Sequence, residues 1–467
     1  MIRVFNQYVS AKSVLLIVNE GFLVALSFFA AAKLRFWSDP VGFDVFTTQP
    51  DFGIQVLVNV IVFQVCFYYN ELYTLKVRQS SGEMFVRLWQ GLGSSCILLG
   101  LLYWVAPVVL IGRGVLFISM VLLLPVISLS RTVLDFAWRA TLPIENVLIL
   151  GTGELAGTVA RELKRRTDLR MRVAGFAPTG KAVSPRTFFG GEILGSADEL
   201  EQVVKQHNIR QIIVALEDHR GTIPVRSLVN IRVHGVPVKD AHTALAALTG
   251  RVWLSTVRPS WFVYAEGFHR SKATVVLKRI IDFCFSVVGL AIASPVMALT
   301  ALAIRLDSRG PIFYSQTRVG LKGRDFQVLK FRSMRTDAEA ITGPQWASTN
   351  DPRTTRIGKY LRKYRLDELP QFINVIRGEM SFVGPRPERP VFVDQLRDAI
   401  PYYDERHSVR PGLTGWAQVE YSYGASVEDA YRKLEYDLFY LQNLSVLFDC
   451  AIVLRTVRIV LFGQGAR

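Results

Sequence analysis

Asp367 and Glu368 stand side by side in RKYRLDELPQF, residues 362–372. Arg353, Arg356, Lys359, Arg362, Lys363 and Arg365 all precede them within fifteen positions. A solvated helix face laced with salt bridges would account for such a charge run in many proteins. The flanking sequence asks for more. SQTRVGLKGRDFQVLKFRSMRTD (315–337) lies upstream, and GEMSFVGPRPERP (378–390) and RPGLTGWAQV (410–419) lie downstream. These stretches set Arg and Lys beside Gly-Pro turns, which fix backbone direction. Guanidinium forks suit phosphate oxygens. Arg side chains around a carboxylate pair are what phosphoryl transfer requires. Cations neutralise a diphosphate, one carboxylate and a Mg²⁺ ion organise it, and the other carboxylate attacks phosphorus. Asp367 and Glu368 are both candidate holders of that ion. Neighbours on a helix point about 100° apart, so the two need not share a role. Pro370 is compatible with the pair opening a helix.

The elements that must position this pair follow from the hydropathy pattern. The chain has 467 residues, half of them hydrophobic, and a net charge of +16. A basic, partly apolar chain suits anionic lipid or phosphate-bearing substrates. No zinc-finger spacing, RNP-like aromatic motif or isolated basic tail points to nucleic acid. Four apolar segments near 13–34, 53–70, 91–111 and 114–136 are each near the length that crosses a bilayer. They define an expected four-helix transmembrane domain over 1–140. The first is too long for a removable signal peptide and lacks a small-residue cleavage site. Asn19 and Glu20 within it are expected to face a partner helix. Lys and Arg flank the N-terminus, the 70–90 loop and everything beyond residue 140, whereas loop 36–51 has three Asp and no Lys or Arg. That bias places both the N-terminus and the rest of the chain on the cytoplasmic side.

ENVLILGTGELAGTVARELKRR, from residue 145, reads as strand, glycine turn and helix, opening a Rossmann-like doubly wound α/β domain over 141–265. Strands are expected near 172–176, 211–215 and 236–239, with a helix at 196–207. Gly151 and Gly153 are candidate nucleotide-binding positions. No acid stands at the end of the second strand, where Ala174 and Gly175 are found. The glycine pattern therefore points to a purely structural or oligomerising domain more than to a bound nucleotide. The third domain, 266–467, begins with a helix at about 278–305 that holds 22 uncharged residues, Phe283 to Ile304. Both ends are basic, and Ser294-Pro295 falls in the middle, where proline breaks a helix. A re-entrant helix that bends there and returns to the same face satisfies these features and keeps the last 160 residues inside. The end of the chain, 443–467, has the pattern of amphipathic helices lying on a membrane. The four cysteines sit far apart in apolar stretches and read as buried, reduced thiols.

From about Lys278 onward the chain resembles the bacterial sugar transferase family, the monotopic polyprenol-phosphate phosphoglycosyl transferases. The resemblance is carried by the Ser-Pro-interrupted apolar helix, KFRSM, LDELPQ, GPRPE and RPGLTGWAQV. The preceding spans and α/β domain are similar to the large members that begin exopolysaccharide or O-antigen repeat units. Within these, the layout is similar to the exopolysaccharide enzymes of exosortase-type gene clusters. The resemblance implies a multi-pass protein of the bacterial inner membrane whose cytoplasmic α/β-type transferase domain acts on two substrates. The donor would be a UDP-sugar, UDP-glucose or UDP-galactose first among them, and the acceptor undecaprenyl phosphate. It implies that Asp367 attacks the β-phosphorus, UMP leaves, and a phosphosugar–aspartyl intermediate passes its sugar phosphate to the lipid. It matches Glu368 to a Mg²⁺-binding Glu, and Arg362 to a phosphate-binding Arg. Gly384, Pro385 and Arg386 match a phosphate-holding turn, and Lys330 falls in the matching KFRSM. Arg410 and Trp416 are further candidates, for nucleotide contact or for holding the fold.

Two other readings compete. A membrane-bound nucleotide-sugar dehydratase or epimerase would need a Tyr-x-x-x-Lys pair, and the only such spacing is Tyr8 to Lys12, before the first span. A non-catalytic membrane scaffold would not need an intact Asp-Glu pair. A homodimer is a candidate assembly, since the bundle and the α/β domain offer large surfaces.

Overall fold

The structure is a computed structural model. It describes the chain apart from residues 1, 5–6, 74–80, 142–143, 180–186, 217–222, 256–266, 269, 337, 339–351, 422–423, 425 and 462–467. Lys76 and Arg78 of the second loop and the last six residues of the chain therefore lie outside the described residues. The chain forms two compact units, Met1–Ala244 and Leu245–Arg467.

The first unit opens with long helices α1 (Ala11–Arg35), α2 (Phe52–Tyr69), α3 (Ser81–Val105) and α4 (Arg113–Thr141). All four are long and apolar enough to cross a membrane. Phe28, Phe63, Phe67, Leu99 and Leu123 fill the bundle interior, while Phe22, Ile97, Trp104, Phe117 and Phe136 point outward, as lipid-facing side chains do. The polar residues of α1 find partners across the bundle. Asn19 donates to Ser130 Oγ at 2.7 Å, and Arg131 Nε donates to the buried Glu20 at 2.6 Å. The third helix differs from its expected bounds. It starts at Ser81 and stops at Val105, because Pro107 removes a donor and disfavours helical geometry in the residue before it.

The same unit then forms a parallel sheet from β1 (Glu145–Leu150), β2 (Met171–Ala177), β3 (Ile209–Val214) and β4 (Val238–Asp240), in the order β2-β1-β3-β4. Strands β1 and β3 end in buried apolar runs, 147–150 and 212–214, as a sheet covered on both faces requires. Helix α5 (Glu154–Arg165) follows the glycine turn. Gly151 has φ +122°, and a β-carbon there would strike the carbonyl of Ala215 beyond β3. The glycine thus lets two strand ends meet. Gly153 is the N-cap of α5, whose first turn carries Glu154.

The second unit is organised on α6 (Lys272–Asp307), a helix of 36 residues. It does not end at the Ser-Pro step. Pro295 has no N–H to give Ala291, and Ser294 Oγ donates to that carbonyl at 2.8 Å. The expected break is therefore a hydrogen-bond defect repaired by the neighbouring hydroxyl, within one unbroken helix. A β-hairpin follows, β5 (Phe313–Val319) with β6 (Asp325–Phe331), then α7 (Arg356–Lys363) and α8 (Gln371–Arg377). Strand β7 (Ser381–Val383) pairs in parallel with β8 (Gly412–Thr414), and α9 (Pro390–Ala399) lies between them in sequence. Helices α10 (Trp416–Glu420), α11 (Val427–Gln442) and α12 (Val446–Leu461) complete the unit. Helix α12 buries Phe448 and Ile452 and exposes Leu447, Leu454 and Val457.

Both halves of α6 are fastened to this one unit. Near its start, the buried Asp282 accepts from Ser381 Oγ at 2.6 Å and Phe382 N at 3.2 Å. Lys278 donates to Val383 O and Asp449, and Arg279 caps α8 through Val375 O and Ile376 O. At its far end Arg332 donates to Ser308 O and Arg309 O, and Asp307 accepts from Ile357 N. Ile304 packs with Phe331 and Leu361 between these ends. Of the cysteines, which are all free, only Cys66 is buried; Cys96 and Cys284 are exposed on the outer faces of α3 and α6. The expectation of four buried thiols fails because membrane helices turn apolar side chains outward.

Candidate active site

Asp367 and Glu368 occupy a single 3₁₀ turn, Leu366–Glu368, between α7 and α8. Arg365 enters that turn in the left-handed region, φ +55°, and Pro370 caps α8 behind it. The pair is no solvated helix face: Asp367 is 8% exposed and Glu368 9%. Hydrophobic neighbours Leu366 and Leu369 pack against Phe331 and Leu361 and pin the turn to the hairpin and to α6.

The two carboxylates have different surroundings. Glu368 Oε1 accepts from Lys330 Nζ at 3.1 Å and from Arg386 Nη2 at 2.6 Å, and Arg365 Nη1 stands 3.9 Å from Oε2. These cations hold its carboxyl well below the usual range despite its burial. Burial, and then the Glu368 charge beside it, push Asp367 up to about 6, against the pull of Lys330, Arg386 and Arg362. Two adjacent carboxylates are thus split into a firmly ionised acid and one that titrates near neutrality.

The pair lines a cavity of about 760 Å³. Lys330, Arg362 and Arg386 line it too, so five sequence-selected residues meet in one place. Gly384 and Pro385 precede Arg386 in the chain and are not among the residues lining the cavity. A β-carbon on Gly384 would lie 2.5 Å from Arg410 O and 2.9 Å from Gly412 N. Only glycine lets β7 leave its pairing with β8 at that step. Arg410 and Trp416 are not among the residues lining the cavity. Arg410 Nε donates to Gly378 O at 2.9 Å. Trp416 is 2% exposed, donates to Gly250 O and packs on Phe439 and Phe448. Gly151 and Gly153 belong to the other unit.

Sequence reading did not single out several residues that line the cavity: Arg318, Glu388, Tyr403, Arg406, Lys433 and Asp437. Lys433 and Asp437 share one face of α11 at a spacing of four residues, a signal equally produced by any amphipathic helix. Arg406 leaves a 3₁₀ stretch, donates to Arg386 O at 2.8 Å and lies 2.9 Å from the buried Asp437.

Among the described residues no three or more His, Cys, Asp and Glu side chains cluster as a metal site. Mg²⁺ in phosphoryl chemistry is held by one or two carboxylates with substrate phosphates completing the shell. The dyad supplies two such carboxylates, Glu368 being the one held well below the usual range.

A buried carboxylate dyad in a cavity lined by Arg and Lys, in a unit built on a helix long and apolar enough to cross a membrane, has the groups that phosphate chemistry uses. Residues 273–463 match the model of the bacterial sugar transferase family, and residues 69–239 match a model described as a CoA-binding domain. A UDP-N-acetylgalactosamine-undecaprenyl-phosphate N-acetylgalactosaminephosphotransferase of Aeromonas hydrophila is 42% identical over 242 residues, 52% of this chain and 56% of that protein. An undecaprenyl-phosphate glucose phosphotransferase of Komagataeibacter xylinus is 34% identical over 330 residues, 68% of this chain and 60% of that protein. A UDP-glucose:undecaprenyl-phosphate glucose-1-phosphate transferase of Xanthomonas campestris pv. campestris is 29% identical over 497 residues, covering 99% of this chain and 96% of its own. The chain thus spans under two thirds of the first two relatives and nearly all of the third. It belongs to the bacterial sugar transferase family.

Proposed function

We propose that this protein transfers a sugar 1-phosphate from a UDP-sugar to undecaprenyl phosphate, releasing UMP and beginning a polysaccharide repeat unit. One observation carries the reading: a buried Asp367 whose pKa is raised to about 6, beside a Glu368 neutralised by Lys330 and Arg386, in a cavity lined by further arginines. At pH 7 Asp367 is mostly ionised, and its oxygen attacks the β-phosphorus of the donor. The new Oδ–P bond forms as the bond between the β-phosphorus and the bridging oxygen breaks, and UMP departs with that oxygen and the electron pair. Arg362, Lys330 and Arg386 carry the charge of the diphosphate and of the leaving phosphate. In the second step a phosphate oxygen of the lipid attacks the same phosphorus and frees the Asp367 carboxylate. Glu368 fixes Lys330 and Arg386 in place and would hold Mg²⁺, which supplies charge neutralisation when bound. Names of the relatives put glucose and N-acetylgalactosamine among the sugars handled in this family. UDP-glucose and UDP-galactose are the first donors to test.

The lipid acceptor requires the cavity at a membrane face. Contacts of one unit extend along α6 from Lys278 to Asp307, which supports an arrangement in which both helix ends stay on the same, cytoplasmic side. A crossing helix would put the contacts at Lys278 and Asp282 and those at Asp307 on opposite faces of the membrane, although one compact unit makes both. The test of function is UMP release from a panel of UDP-sugars by protein in nanodiscs containing undecaprenyl phosphate and Mg²⁺. Release by the wild type and none by Asp367→Asn is expected; release by both would refute the assignment of the nucleophile.

A further inference from the structure

The cavity has a second polar cluster that the phosphate chemistry leaves unused. Arg406 is 6% exposed and Asp437 2%, and both line the cavity. Their charges are 2.9 Å apart but misaligned. Asp437 Oδ2 receives no hydrogen bond and Arg406 Nε donates none among the described residues. On α10, Gln418 also lines the cavity, and its buried Oε1 has no donor either. Buried polar atoms are almost always paired. Three unpaired ones on residues that line one cavity point to a ligand that supplies the missing partners.

The chemistry of that ligand follows from the groups. A carboxylate and an amide oxygen accept, a guanidinium donates, and Lys433 of α11 also lines this region. Mixed acceptors and donors suit hydroxyl groups, each of which both gives and takes a hydrogen bond. Lys330, Arg362 and Arg386 already supply the cations for the diphosphate, which leaves this cluster for the sugar. Its position relative to the dyad fits the same conclusion. Arg386 touches Glu368 with its guanidinium and accepts from Arg406 at its carbonyl. The cluster therefore begins one residue away from the phosphorus-binding groups. The sugar is bonded to the phosphorus that Asp367 attacks. Arg335 and Arg353 also line the cavity and add positive charge suited to the leaving nucleotide.

We propose that Asp437, Arg406 and Gln418 form the subsite that holds the hydroxyl groups of the transferred sugar and so sets which UDP-sugar is used. This inference rests on the function proposed above and deepens it.

The experiment compares kcat/KM for UMP release across UDP-glucose, UDP-galactose, UDP-N-acetylglucosamine and UDP-N-acetylgalactosamine, using the full-length protein in nanodiscs. UMP inhibition is measured alongside. In Asp437→Asn, kcat/KM for the preferred donor is expected to fall about tenfold or more, with a smaller fall for donors that do not use that contact. The preference ratio therefore changes while the UMP inhibition constant stays within about twofold, the scatter of a lost non-contact. Gln418→Met leaves the buried ion pair intact, and the same change of ratio is expected there if Asp437→Asn does not fold. An equal fall for every donor would overturn the inference, because a structural defect acts uniformly. Parallel weakening of UMP would overturn it in favour of a nucleoside subsite. A wild type that releases UMP from no donor would refute the proposed function itself, an outcome distinct from both.

Discussion

Removing the charge of Glu368 should make the enzyme work at lower pH, even as it slows it. Asp367 must be ionised to attack, and its pKa of about 6 is raised first by burial and then by the Glu368 charge. The acid limb of kcat/KM reports the free enzyme, so in the wild type it should fall near pH 6. With that pKa, Asp367 is roughly 90% ionised at pH 7 and roughly 10% at pH 5. Glu368→Gln deletes a like charge on the adjacent residue, an effect of about one pKa unit or more, about 1.4 kcal/mol. Lys330 and Arg386, released from Glu368, push in the same direction. Between pH 7 and pH 5 the wild type should lose about tenfold in kcat/KM, whereas Glu368→Gln, lower throughout, should lose about twofold. Initial rates of UMP release at subsaturating donor over roughly pH 5–8 decide the point. A limb that stays near pH 6, or moves to higher pH, would refute the electrostatic coupling between the two carboxylates.

Three other outcomes are expected. Asp367→Asn should raise the unfolding temperature at pH 7 while abolishing turnover. The folded state raises this carboxyl from 3.8 to about 6, so its ionisation costs stability above that range, by about 3 kcal/mol at most. The gain should vanish as the pH falls towards 4, and equal melting of both proteins at pH 7 would count against the burial. Gly384→Ala should destabilise the second unit by about 1–3 kcal/mol, since its β-carbon would meet backbone atoms that cannot yield; denaturant unfolding of the purified protein measures this. Cysteines placed at Ser271 and Ser308, just outside the two ends of α6, should both react with an impermeant thiol reagent from the cytoplasmic side only. Labelling of one end from the opposite face would establish a crossing helix.

The sequence showed the dyad, its lysine and its arginines because charge is unusual where hydrophobic segments must pack against it. The membrane helices and the parallel sheet were legible from apolar length and from the strand–glycine–helix step at Gly151. Boundaries were less so: α3 was misplaced because its polar first turns, Glu83 and Arg87, look like loop, and because Pro107 sits inside an apolar run. The continuity of α6 was hidden for a different reason. A proline seen in sequence deletes a hydrogen bond, but the hydroxyl of Ser294 that takes up the freed carbonyl acts only in three dimensions. Trp416 in RPGLTGWAQV was open to nucleotide contact or to holding the fold, and its indole is spent on the core and on Gly250 O. Asp437 and Arg406 were invisible because they come from separate elements, thirty-one positions apart in number, and neither has a distinctive neighbour. Only their burial together, misaligned and facing a cavity, separates them from ordinary surface charges.

The central claim is that Asp367 becomes covalently attached to the sugar phosphate. Full-length protein in nanodiscs without lipid acceptor, mixed with its UDP-sugar and quenched in acid, should show by intact mass a gain of one sugar phosphate less water. That mass should map to the peptide containing Asp367, disappear on addition of undecaprenyl phosphate, and be absent from Asp367→Asn. Turnover to lipid-linked sugar without any such adduct, or an adduct on another residue, would contradict the account.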